Sequence, residues 1–224
     1  MIDLSNLKDL SIAGKSVKEL SIDGRLVWQK SSQLAPGLAF RAISDGTTIG
    51  MSKNGNPPST SFEYTLDQGT TWNAVQLGTT ISLPKGKSIG FRNTSTTTTL
   101  ASWSGTHQHY FFTGEGKVAA YGHIDAIINK NYDTTTTSHG NRCFTGLFRN
   151  MTTLVDASQI ELPSLANGVW CCYQFTFSGC SSLVNAPELK ETGYLDAWAY
   201  ADMFSGCSSL VKAPVIKAQT ISTT

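Results

Sequence analysis

The chain has 224 residues, room for one or two domains and a sizeable core. Charged residues make up only 15% of it and the formal net charge is +1, with no basic block, so the electrostatic footprint of a nucleic-acid binder is absent. No run of about 18 apolar residues is available to span a membrane as a helix, and the abundance of Thr, Ser, Gly, Val, Ile and aromatic residues predicts a mainly β protein.

The start of the chain, Met1-Ile-Asp-Leu-Ser-Asn-Leu-Lys-Asp, lacks the basic end and apolar stretch of a signal peptide. Either a signal has been removed from a longer precursor or the protein is made and kept without secretion. A short repeat follows: Leu7-x-x-Leu10-x-Ile12-x-Gly14-Lys15 is echoed by Val17-x-x-Leu20-x-Ile22-x-Gly24-Arg25. Leu10/Ile12 and Leu20/Ile22 alternate as strands do, and Ala13-Gly14 and Asp23-Gly24 supply turns that tolerate positive φ. This β-hairpin-like element, residues 1–32, is too small for a core of its own. Leu10, Ile12, Leu20, Ile22, Val27 and Trp28 are therefore its candidate docking residues, against the following domain or another chain. Ser31 to Gly37 reads as a linker.

Over residues 33–123 short strands alternate with turn chemistry, which predicts an antiparallel, immunoglobulin-like β-sandwich. The strands fall at Leu38–Ile43, Ser61–Thr65, Asn73–Leu77, Thr80–Leu83, Ser88–Arg92 and His109–Thr113. Thr65-Leu-Asp67-Gln-Gly69-Thr-Thr-Trp72 resembles the Asp-box hairpin of sialidases, in which the Asp closes a turn and the Trp packs beneath it, remote from catalysis. His107-Gln-His109 places two imidazoles on one face of a strand; a solvent-exposed pair is favoured over a metal site. His123, Asp125 and His139 suggest no assembly.

Residues 124–224 carry the strongest pattern. Phe177-Ser-Gly-Cys180-Ser-Ser-Leu183-Val-Asn-Ala-Pro187 recurs 27 residues later as Phe204-Ser-Gly-Cys207-Ser-Ser-Leu210-Val-Lys-Ala-Pro214, identical at ten of eleven positions. A degenerate copy, Phe148-Arg-Asn-Met151-Thr-Thr-Leu154-Val-Asp-Ala157-Ser158, lies 29 residues upstream of the first. Such a period marks a solenoid. The segments leading into each Phe, at Cys143-Phe144, Cys172-Tyr173 and Ala199-Tyr200, have the apolar spacing of one or two helical turns. The Leu-Val-x-Ala-Pro pieces read as extended, because the residue before Pro is pushed away from helix. The last copy is followed by no polar cap, so a partner chain or further residues would have to cover it.

Five cysteines are present, Cys143, Cys171, Cys172, Cys180 and Cys207; Cys180 and Cys207 share a repeat position, which is read chiefly as a buried thiol, ahead of disulfides or metal. The Ser-Gly-Cys-Ser-Ser segments repeat with the packing period, and no nucleophile elbow or phosphate-binding glycine loop is present, so no catalytic residue, metal or cofactor is assigned. Glu188 and Glu191 read as a solvated face. Trp170, Tyr194 and Trp198 fall outside the shared frame and are the surface-binding candidates, against the plainer reading that they fill gaps between coils.

Met203-Phe-Ser-Gly-Cys-Ser-Ser-Leu-Val-Lys-Ala-Pro214 resembles the BspA-like leucine-rich repeats of surface proteins of gut and oral bacteria and their phages. Met151 for Cys and Ser158 for Pro depart from that pattern. Ile12-x-Gly-Lys-x-Val-Lys-x-Leu-x-Ile-Asp-Gly-x-x-Val-Trp28 resembles the leading segment of phage tail and fibre proteins, which docks them to the particle. Together these resemblances imply a non-enzymatic virion protein, made in the host cytoplasm. It would be a fibre or a tail- or head-attached decoration that docks to other virion proteins, forms a homo-oligomer (a trimer in preference) and presents its repeats to a host-surface glycan or protein. The alternative is a bacterial cell-surface adhesin or glycan-binding module; glycosidase activity rests on the Asp box alone. The expected fold is mainly β with some α: a docking element, a β-sandwich and a leucine-rich-repeat solenoid.

Overall fold

The computed structural model describes strands at residues 10–12, 15–17, 19–22 and 25–29, and then residues 36–165, 169–190, 194–216 and 220–221. The ten-residue echo folds as two antiparallel hairpins. Strand β1 (Leu10–Ile12) pairs with β2 (Lys15–Val17), and β3 (Glu19–Ile22) with β4 (Arg25–Gln29). The backbone of all six docking candidates lies in these strands, while their side chains fall outside what is described.

Ten further strands build two sheets. They are β5 (Leu38–Ala42), β6 (Thr48–Asn54), β7 (Phe62–Thr65), β8 (Asn73–Ala74), β9 (Thr80–Ser82), β10 (Ser88–Asn93), β11 (Ala101–Trp103), β12 (His107–Glu115), β13 (Val118–His123) and β14 (Leu154–Glu161). One sheet runs β14-β13-β5-β10-β7-β8 and is mixed, because β13 and β14 are parallel; the other runs β11-β12-β6-β9 and is antiparallel. All six predicted strands are present with shifted ends, and β6, β11, β13 and β14 are additional. Strand β6 escapes a propensity reading because Gly50 interrupts it. The glycine is needed there: a Cβ would overlap the Thr79 carbonyl, just as one on Gly114 of β12 would overlap the Thr48 carbonyl.

Phe40 of β5 and Phe91 of β10 meet Phe112 of β12 at ring distances of 4.7 and 5.2 Å, so the two sheets share aromatic packing. Phe148, from the repeat region, joins them 5.6 Å from Phe112. The apolar core is continuous from Leu38 to Met203 and does not divide at residue 123.

The repeat region contains no α-helix among the described residues. The expected helical turns are corrected: the one helical element is a single 3-10 turn at Ile124–Ile127. In their place stand three runs of consecutive tight turns, residues 142–151, 171–180 and 198–207, here the first, second and third turn segments. Every fourth residue is left-handed, at Arg142, Gly146 and Asn150, then Cys171, Phe175 and Gly179, then Trp198, Asp202 and Gly206, with φ between 53° and 77°. A left-handed residue each fourth position breaks the i→i−4 ladder of a helix. Alternate amides instead close local turns, as Leu147 does onto the Phe144 carbonyl at 3.2 Å and Arg149 onto Gly146 at 3.0 Å.

The intervening amides reach across to the next segment. Phe144, Gly146, Phe148 and Asn150 donate to the carbonyls of Cys172, Gln174, Thr176 and Ser178, at 2.7–3.0 Å. Tyr173, Phe175, Phe177 and Gly179 then donate to Ala199, Ala201, Met203 and Ser205 over the same range. This ladder holds equivalent rings face to face: Phe144 on Tyr173 and Tyr173 on Tyr200, at 5.5 and 5.4 Å. The extended pieces also align. Asp156 in β14, Asn185 and Lys212 form successive parallel bridges. Pro187 and Pro214, which lack an N–H, follow the latter two bridges closely, whereas Ser158 lets β14 run on to Glu161. Finally β15 (Tyr194–Leu195) pairs in parallel with β16 (Thr220–Ile221).

The cysteines divide. Cys143 and Cys172, equivalent positions of the first two segments, form a disulfide with Cα atoms 4.9 Å apart. Cys171 and Cys180 are buried thiols, and Cys207 is half-buried. The Cys180 thiol donates to the Phe148 carbonyl at 3.0 Å, and the Cys207 thiol donates likewise to Phe177 at 3.1 Å. Burial pushes all three thiol pKa values up, Cys180 furthest.

Candidate functional site

A face of aromatic and cationic side chains gathers where the outer side of the turn segments meets the β11–β12 hairpin. Local conformation places them. Of the left-handed positions, Trp198 is exposed and Arg142 and Phe175 are half-buried, whereas Cys171 is buried; Phe144 and Tyr173 lie in the core and Tyr200 packs against it. Trp198 occupies in the third segment the position that Cys171 holds in the second and Arg142 in the first. It is 63% exposed, and Trp170 and Trp103 are 41% and 55% exposed. Trp170 and Trp198 thus keep a large part of their rings at the surface. Tyr194 lies in β15, and its side chain falls outside the described residues.

The contacts within this face are specific. The Arg142 guanidinium sits 4.8 Å above the Trp170 ring, and Arg149 sits 4.9 Å above Phe175. His107 is the hub, with its ring 4.6 Å from Trp103 and 5.1 Å from Phe175. Partial burial, then the nearby Arg142 and Arg149 charges, lower the His107 pKa, so its ring is neutral near pH 7. Arg142 Nη1 and His107 Nδ1 are buried atoms without a hydrogen-bond partner among the described residues. Such atoms are uncommon in folded proteins and are natural places for a ligand or water to bind. Arg149 also borders a shallow groove lined by Lys53, Asn54, Phe111 and Asn150.

The sequence reading expects His107 and His109 to form an exposed pair. The structure instead buries His109, 4% exposed, with its ring packed over Gly146, where a Cβ would come within 2.6 Å. Burial, helped by Arg149 and His107, holds the His109 pKa down at about 4. His139 likewise finds a partner: its Nε2 lies 2.8 Å from Asp125 Oδ1. No three His, Cys, Asp or Glu side chains among the described residues converge as a metal site would require. Nor is any described helix long and apolar enough to cross a membrane. Arg142, Arg149, Phe175 and Trp103 are not singled out by the sequence, and His107 is singled out only as one of a strand pair. They come from separate strands and segments, and no spacing rule connects them.

The Asp box folds as the hairpin between β7 and β8. Asp67 Oδ1 accepts from the Thr65 hydroxyl at 2.8 Å and the Thr71 amide at 2.9 Å, and Oδ2 accepts from the Thr71 hydroxyl at 2.6 Å. The Thr71 bonds, then Thr65, lower its pKa to about 2. Trp72 packs under Arg92, whose guanidinium is 3.7 Å from the ring centre. The carboxylate is thus engaged in closing a turn.

No family model, curated protein or solved structure matches the chain.

Proposed function

We propose that this chain is a non-enzymatic phage virion protein, a fibre or a tail- or head-attached decoration, that presents its repeat region to the host-cell surface. The observation that carries the reading is the exposure of Trp103, Trp170 and Trp198, with Arg142 over Trp170 and His107 against Trp103. Flat indoles stack on sugar rings, and guanidinium groups add affinity for carboxylate- or sulfate-bearing glycans. A rigid ladder holds these side chains, so little ordering entropy opposes binding.

The finer architecture belongs to the same proposal. A BspA-like leucine-rich-repeat solenoid is supported by the 29- and 27-residue register of rings, turns and bridges. A β-sandwich is supported by the aromatic side chains that the two sheets share. The two short hairpins at residues 10–29 suit docking to other virion proteins and assembly as a homo-oligomer, a trimer in preference. The alternative, a bacterial surface adhesin or glycan-binding module, uses the same face and differs in where the protein resides. Asp67 serves the hairpin, so the Asp box argues for fold rather than glycosidase chemistry.

The test pairs binding with location. Trp170→Ala with Trp198→Ala should weaken binding to host cells or to an acidic-glycan array by about tenfold or more, with the melting temperature unchanged. Antibody labelling should find the chain on purified particles. Undiminished binding by the double variant removes the attachment face; absence from particles with presence on bacterial cells selects the adhesin.

A further inference from the structure

We propose that the outer side of the third turn segment is a docking site for one further turn segment of the same kind, entered directly from β16. The argument begins with the direction of the ladder. Every backbone bond between the turn segments runs one way, from an amide of one to a carbonyl of the next, while the Thr176 hydroxyl and the Cys180 and Cys207 thiols donate back. At the start, three carbonyls of the first segment's outer edge are closed by the chain's own donors. The Leu100 amide reaches Cys143 O at 3.2 Å, the Phe112 amide reaches Leu147 O at 2.8 Å, and the Thr99 hydroxyl reaches Asn141 O at 2.8 Å.

At the other end, the equivalent amide donors belong to Trp198, Asp202, Phe204 and Gly206. None of these four has an acceptor among the described residues. The carbonyls of Trp198, Asp202 and Phe204 are already engaged within the segment, by the amides of Ala201, Ser205 and Cys207. The face therefore presents four donors, at residues 198, 202, 204 and 206, and calls for carbonyls to meet them.

Two further features fix what brings those carbonyls. Phe204 is half-buried, with one ring face on Phe177 at 5.4 Å and room for the next ring of the stack on the other. Each preceding Phe carbonyl in the series, Phe148 and Phe177, also accepts a thiol from the following unit, so Phe204 O is the next acceptor for a Cys. An arriving segment with the Phe-Ser-Gly-Cys pattern satisfies the donors, the ring and the carbonyl together.

Delivery is also built in. In the β15–β16 pair Tyr194 is aligned with Thr220 and Leu195 with Ile221, in parallel. The chain leaving Leu195 enters the third segment at Trp198, and a chain leaving Ile221 arrives in the same way at the start of the open row. A second copy of the protein does not fit. Two such faces brought together oppose donor rows, and the acceptor side of the first segment is covered by Leu100 and β12.

The experiment extends the full chain after Thr224 with a copy of residues 199–216 and follows amide hydrogen exchange. A control extension carries Asp in place of the copied Tyr200, Phe204 and Leu210. The first extension should slow exchange at Trp198, Asp202, Phe204 and Gly206 by about tenfold or more, and the control should not. The proposal is overturned if exchange is unchanged or if both extensions slow it equally. It is also overturned if these amides in the unextended chain already match the protection of Cys171, Phe175, Phe177 and Gly179, or if sedimentation shows dimers of the unextended chain that protect them.

Discussion

The rings of Phe148 and Phe177 lie 4.9 Å apart and 4° from parallel. Isolated aromatic pairs favour offset or edge-to-face geometry over such stacking. The arrangement is therefore set by the backbone ladder, which places equivalent residues in register, and the rings fill the column that results. Phe177, enclosed on both sides, carries most of this packing.

Phe177→Ala should destabilise the protein by about 3–5 kcal/mol, the usual cost of emptying a buried Phe site. Phe204→Ala, at the half-exposed end of the column, should cost clearly less. Denaturant unfolding of both variants checks this, and equal losses would show that enclosure is not the source of the stability.

The Cys143–Cys172 disulfide joins positions 29 residues apart. Replacing both with Ser should lower stability by about 3 kcal/mol on the loop-entropy account, and a reductant should bring the native protein down towards the double variant. The buried Cys180 should resist alkylation in the folded state, because its thiolate is strongly disfavoured.

His109 should confer acid sensitivity. Its folded pKa of about 4 lies below the ordinary value of 6.5, so the unfolded chain takes up the proton first as pH falls. Its contribution is complete above about pH 6.5 and is lost progressively down to about pH 4, by an amount on the order of 2 kcal/mol. Urea midpoints at pH 7.5 and 4.5 should differ less in His109→Gln than in the native chain.

Asp67 works lower on the pH scale. With the folded pKa at about 2 against an ordinary 3.8, its hydrogen bonds stabilise the hairpin fully above pH 4 and fade as pH falls towards 2. Asp67→Ala should lower the melting temperature by about 2–4 °C at pH 7, with a smaller difference from the native chain at pH 2.

Much of the pattern is legible in the sequence because it repeats. The 27-residue echo locates Phe177, Phe204, Cys180 and Cys207 as inward, stacked positions, and the Leu-Val-x-Ala-Pro pieces as extended. The same spacing misleads on local structure. Phe144 with Phe148, and Leu147 with Met151, lie four apart, which suits a helix and a run of four-residue turns equally well. The left-handed positions would separate the two, yet Gly146, Gly179 and Gly206 mark only three of the nine, and residues such as Arg142, Cys171, Phe175 and Trp198 occupy the others. The binding face is harder still to read. His107, itself against Trp103, meets Phe175 only because the first segment lies against β12, a long-range contact that no local spacing encodes.

The placement of the disulfide has a mechanical consequence. It rivets the first turn segment to the second, while Ala199 stands at the matching position of the third. Under a pull applied at Trp198, the third segment can peel away one hydrogen bond after another, and the covalent link stops the tear before it reaches the sheets. The outermost layer is thereby the replaceable one, and the two beneath it are the foundation.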